Sequence, residues 1–297
     1  MSVKTKRVIL ALFLSVFLIF STAILAHAYS SILAFGDSLS DNGNADGFGI
    51  TRFSNGPVWV EYLAGPTHLN VPLFDMAFGG ATTGVDNPAA GLPITGLNWQ
   101  VGYYLNTLHG PISSNTLVTV WAGANDLFQG RSYAAAADNV ALALMNLATA
   151  GFQNFLVMGL PNIGATPGFK GTPAAPLATA WSQAFNLDLA AELAGLQLAF
   201  PGDHFYTLNT YDLLNNVIAN PGMYGFDNVT GMWLTRPAGD TGTYLFWDSV
   251  HPTTEAHSML ANYAAAAVPI PEPATMLLLG SGLIGLAGYG RKKFFKK

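Results

Sequence analysis

The chain has 297 residues, no cysteine, and 12 Lys+Arg against 17 Asp+Glu, for a formal net charge of −5. The absence of cysteine excludes disulfides, thiolate metal sites and a cysteine nucleophile. Eight of the basic residues lie at the two ends, so the middle keeps only Arg52, Arg131, Lys170 and Arg236 against sixteen acids, a net charge of −12 that disfavours binding to nucleic acid or to anionic membranes. In chain order, Lys4, Lys6 and Arg7 precede an apolar run over residues 8–26, and Ala26-His27-Ala28 follows it. That order predicts a secretory signal peptide, residues 1–28, cleaved after Ala28, with an uncleaved anchor as the alternative. Residues 31–35 form an apolar run that ends at Gly36, as a buried strand does. Weaker strand character follows at 71–75, then strands at 116–121, 155–160 and 204–208. Helical patterns lie between them at 131–150 and 174–198, and a last one at 252–267 with Pro252 at its first position. Residues 29–268 therefore predict one α/β body, a mostly parallel sheet with helices on both faces. Ligands of such sheets bind at the carboxyl ends of the strands.

Four segments carry candidate chemistry. Ser38 lies in Gly36-Asp37-Ser38-Leu39-Ser40-Asp41-Asn42-Gly43-Asn44, directly after the first strand. A serine there sits on a tight turn at the sheet edge, although Gly, Asp, Ser and Asn also make ordinary turns. Phe78-Gly79-Gly80-Ala81-Thr82-Thr83 pairs two glycines whose backbone N–H groups can approach a ligand closely. Gly123-Ala124-Asn125-Asp126 offers the Asn125 amide to a developing oxyanion, with Asp126 as a candidate helix cap. Asp248-Ser249-Val250-His251-Pro252 has the spacing that lets a carboxylate fold back onto an imidazole, or that merely caps a helix.

In combination and in this order, GDSLSDNGN, FGGATT, GAND and DSVHP resemble the blocks of the GDSL, or SGNH, hydrolase family, and most nearly its lipase, phospholipase and acyltransferase branch. The resemblance spans residues 32 to about 265 and implies a three-layer α/β/α sandwich of the flavodoxin type. It implies that Ser38 is the nucleophile, that His251 is the base and that Asp248 is its partner. It implies oxyanion donors at the Ser38 N–H, the Gly80 N–H and the Asn125 amide, with Gly79 left as an alternative to Gly80. It calls for no cofactor and no metal, and no His pair has the H-E-x-x-H spacing of a zinc hydrolase. Asp75 departs from the pattern, which commonly has Asn there. The expected reaction is cleavage of a lipid or other acyl ester through an acyl-enzyme. The same residues would serve transfer to an alcohol acceptor, and an inert surface or extracellular-matrix protein is the reading from another class.

Residues 269–297 carry their own signature. Pro271-Glu272-Pro273 is followed by an uncharged stretch over 274–290 and then by Arg291, Lys292, Lys293, Lys296 and Lys297. As a helix the stretch is about 25 Å long, short for a transmembrane span. This order resembles the PEP-CTERM sorting signal, which implies an exosortase-type enzyme as partner and transient membrane anchoring before display at the surface or secretion. A plain tail anchor is the alternative. Within the body, the loops at 41–56 and 220–243 are expected to wall the pocket, with Tyr224, Phe226 and Trp233 either covering an acyl chain or packing their own loop.

Overall fold

A computed structural model describes residues 29–46, 52–88 and 94–269. The expected signal peptide at 1–28 and the expected transmembrane stretch at 274–290 lie outside the described residues. Among the described residues no helix is long and apolar enough to cross a membrane.

Five parallel strands form the sheet: β1 (Ser31–Gly36), β2 (Leu73–Asp75), β3 (Thr116–Trp121), β4 (Asn154–Met158) and β5 (His204–Leu208). Their order, β2-β1-β3-β4-β5, is the flavodoxin-like winding, with its switch point between β1 and β3. Continuous apolar sequence explains the centre: β3 is buried along its whole length and β1 at every residue after Ser31. At the edge, β5 leaves His204 and Thr207 in solvent.

The helices are α1 (Trp59–Ala64), α2 (Leu97–Tyr103), α3 (Ala124–Phe128), α4 (Tyr133–Ala150), α5 (Ala175–Ala199), α6 (Thr210–Ala219) and α7 (Thr254–Ala267). α2 and α5 pack against α4, while α1 packs against α7, which gives the helical layers of a three-layer α/β/α body. Local chemistry sets several starts: Ser132 caps α4 through Ala135 N, Asn209 caps α6 through Asp212 N, and Thr253 caps α7 through Ala256 N.

Two expectations about local structure change. Pro252 does not open the last helix; it pairs with Phe246 in an isolated antiparallel bridge, and the cap falls to Thr253. The 220–243 region is not wholly loop, because β6 (Asn228–Met232) pairs with β7 (Tyr244–Phe246) in a small second sheet.

Candidate active site

β1 ends at Gly36 with φ of 148°, a backbone region that favours glycine. Gly36 is paired with Trp121 across the sheet, and the chain turns sharply after it. Asp37 N–H donates to Trp121 O at 3.1 Å, and Ser40 and Asp41 N–H groups return to Asp37 O. This turn places Ser38 at the carboxyl end of the central strands, 7% exposed.

His251 comes from the other end of the sequence. Ser38 Oγ and His251 Nε2 lie 2.8 Å apart, and His251 Nδ1 lies 2.7 Å from Asp248 Oδ2. The other carboxylate oxygen, Asp248 Oδ1, accepts from the N–H groups of Val250 at 2.9 Å and His251 at 2.7 Å. The turn that brings Asp248 back onto the ring is thus fixed by the same carboxylate. Burial works to raise Asp248, but the hydrogen bond and charge of His251 and these two N–H groups outweigh it and hold the carboxyl below its ordinary value.

The two glycines separate cleanly. Gly79 N–H donates to Asp41 Oδ2 at 2.7 Å. Among the described residues the N–H groups of Gly80 and Ser38 face no protein acceptor. Gly80 has φ of 81° in a turn closed by Ala81 N to Phe78 O at 3.1 Å, a conformation suited to glycine. Asn125 lines the same pocket as Ser38, and its Nδ2 donates to Ala81 O at 2.9 Å, so one amide hydrogen ties Asn125 to the glycine turn.

Buried and half-buried carboxyls lock these loops together, and sequence reasoning did not single them out for this work. Asp41 accepts from Gly43, Asn44 and Gly79 N–H. Asp75, the departure from the family pattern, accepts from Asn42 and Ala77 N–H, both at 2.9 Å. Asp126 is not the helix cap expected of it. It lies inside α3 and binds Thr83 twice, through N–H and Oγ1, both at 2.9 Å. Gln100 on α2 holds both polar groups of Gly36, accepting from its N–H at 3.0 Å and donating to its carbonyl at 2.7 Å. No motif announced Gln100, because its partner lies 64 residues away.

Asp37, the chain neighbour of Ser38, is strongly perturbed. It is 1% exposed; Oδ1 accepts from Leu39 N–H at 3.0 Å, and Oδ2 has no partner among the described residues. Burial pushes it up from 3.8 to about 7, against the pull of the Leu39 N–H and His251, with Asp126 adding repulsion. A carboxyl that holds its proton more tightly folded than unfolded makes stability fall as pH rises between those two values. Asp37→Asn cannot ionise, so its stability relative to the wild type is expected to improve steadily from about pH 4 to about pH 8. Urea midpoints at several pH values check this, and a difference that stays constant contradicts it.

Among the described residues the remaining histidines stay outside the site. His257 is fully buried, its Nδ1 accepts from Trp59 N–H at 3.3 Å, and burial, with His251 adding to it, drives it down to about 3, so it is neutral. His68 contacts Tyr62 O and Asn262, and His109 occupies a left-handed turn position. Phe53 does reach the site: its ring lies 5.1 Å from that of His251 and directly against Gly79. Tyr224, Phe226 and Trp233 do not line the pocket at Ser38; Phe226 packs into the core and Trp233 carries the Arg236 guanidinium 3.6 Å above its ring.

The thermolabile hemolysin of Vibrio parahaemolyticus is 28% identical over 265 residues, covering 78% of this chain and 62% of that protein. The phosphatidylcholine-sterol acyltransferase of Aeromonas hydrophila is 26% identical over 303 residues, covering 80% of this chain and 90% of that protein. The chain spans 62% and 50% of the length of two of the curated relatives it matches. Among solved structures, a member of the lipolytic protein G-D-S-L family from Veillonella parvula shares the fold, with a TM-score of 0.51 at 18% identity, covering 80% of this chain and 97% of that one. The PEP-CTERM protein-sorting motif matches residues 269–292. The GDSL-like lipase/acylhydrolase model matches residues 32–264, and with more than half of its length inside that match the chain belongs to this family.

Proposed function

We propose that the protein is an exported serine hydrolase that cleaves carboxylic esters through Ser38, His251 and Asp248. The observation that carries the reading is the unbroken chain Ser38 Oγ, His251 Nε2, His251 Nδ1, Asp248 Oδ2, with links of 2.8 and 2.7 Å. His251 takes the Ser38 proton as Oγ attacks the ester carbonyl, and Asp248 fixes the tautomer and stabilises the imidazolium. The oxyanion meets the N–H groups of Ser38 and Gly80 and the Asn125 amide. His251 then protonates the leaving alcohol, and a water deprotonated by His251 releases the acid and restores Ser38. Each oxyanion donor contributes about 2.7–4 kcal/mol to the transition state.

The assignment of Gly80 over Gly79 rests on the Gly79 N–H being committed to Asp41. We assign residues 1–28 to a signal peptide, 29–268 to the hydrolase body and 269–297 to the sorting segment, which an exosortase-type enzyme would recognise and which would anchor the chain in the membrane before release. An alcohol can replace water in the second step, and the likeness to an acyltransferase favours testing this directly. Incubation with a short-chain ester, with and without an added sterol or alcohol, is expected to release free acid in both cases. An acyl product formed on the added alcohol in place of acid would assign the protein to transfer, and turnover to neither product would overturn the reading.

A further inference from the structure

The pocket beside Ser38 is lined mostly by apolar residues. They include Phe128, 42% exposed and stacked on Phe169 at 5.9 Å, and Val217, which is fully buried. The deep wall is apolar: Leu213 and Val217 from α6, Phe246 from β7 and Leu260 from α7. Two wall residues carry hydroxyls, and both are spent on backbone carbonyls, Thr166 on Ile163 at 2.8 Å and Thr210 on Gly159 at 2.5 Å. The other polar residues of the lining besides Ser38 are Asp37 in the turn after β1, Trp121 at the end of β3, Asn125 in α3 and His251, bonded to Ser38. A sugar or a hydroxylated acid entering this wall would therefore lose its water without regaining hydrogen bonds, whereas an alkyl chain loses nothing.

The space amounts to about 80 Å³. We propose that this pocket takes the acyl chain of the substrate, a linear chain longer than acetyl and shorter than palmitoyl, and that Leu213 and Val217 set its limit. The proposal rests on Ser38 being the nucleophile, since the chain is anchored by the carbonyl that Ser38 attacks.

The test is a series of p-nitrophenyl esters from acetate through octanoate to palmitate. The wild type is expected to prefer octanoate to acetate by about tenfold or more in kcat/KM, and to lose that preference at palmitate. Val217→Trp shortens the pocket and is expected to lower the octanoate-to-acetate ratio about tenfold or more. Leu213→Ala lengthens it and is expected to move the optimum to longer chains. A flat wild-type profile overturns the proposal, as does an unchanged ratio in folded Val217→Trp. Should Val217→Trp fail to fold, an unmoved optimum in Leu213→Ala overturns it on its own. Acetate hydrolysis that survives Ser38→Ala would instead overturn the nucleophile assignment, which separates the two failures.

Discussion

Ser38→Ala is expected to reduce ester hydrolysis by about 10⁴-fold or more while leaving the fold intact. The size of the effect follows from the geometry. Ser38 Oγ is hydrogen-bonded to His251 Nε2 at 2.8 Å, and removing it leaves a base with no bonded nucleophile to activate. His251→Gln should cost about as much, because residues that act as a unit fail as a unit, so Ser38→Ala/His251→Gln should be little worse than either alone. Stability should barely change, since alanine fills a nearly buried position without leaving a large void and the turn is held by the main chain of Asp37, not by the serine hydroxyl. Steady-state kinetics on a chromogenic ester, with circular dichroism as the folding control, checks both halves.

The second large effect is expected at Gly36→Ala. A Cβ at Gly36 would stand 2.1 Å from the Trp121 carbonyl oxygen, and the φ of 148° is one that L side chains rarely adopt. Neither side can give way cheaply. Trp121 O already receives the Asp37 N–H, and Gly36 is clamped by Gln100 on both of its polar groups and by the Phe78 N–H on its carbonyl. Backbone strain and overpacking together should cost about 3 kcal/mol or more of stability. The fraction that folds should turn over about 100-fold more slowly, because displacing the turn by about 1 Å breaks the alignment of Ser38 with His251. Denaturant midpoints and active-site-normalised kcat separate the two losses; a variant with wild-type values for both would contradict the account of the turn.

Much of this arrangement was legible in the sequence, for physical reasons. Central strands of a parallel sheet are buried on both faces, so β1 and β3 read as unbroken apolar runs ending near glycine. Ser38, Asn125 and the Asp248–His251 pair followed from short segments whose function depends on local turns. What escaped was long-range. Gln100 acts through Gly36, and Asp41, Asp75 and Asp126 act by tying one loop to another, so their partners are distant in sequence and their own surroundings look like any polar loop. The short helices α1, α2 and α6 also escaped, because tertiary packing stabilises them more than any periodicity their few turns can display. Pro252 was misplaced for a related reason: the same φ suits the first turn of a helix and a bridge to Phe246, and only the fold chooses. The pocket wall was expected from the loops at 41–56 and 220–243, with the aromatics of the second either covering an acyl chain or packing their own loop; α6 and α7 contribute to it through Leu213, Val217 and Leu260, which look like plain core residues.

The central claim is that Ser38 is an activated nucleophile. Treating the folded protein with a fluorophosphonate and mapping the modified peptide by mass spectrometry tests it most directly. The account predicts one phosphonyl group per chain, on Ser38, with labelling abolished in Ser38→Ala and strongly slowed in His251→Gln. No adduct on the folded chain, or an adduct on a different serine that persists in Ser38→Ala, would contradict it.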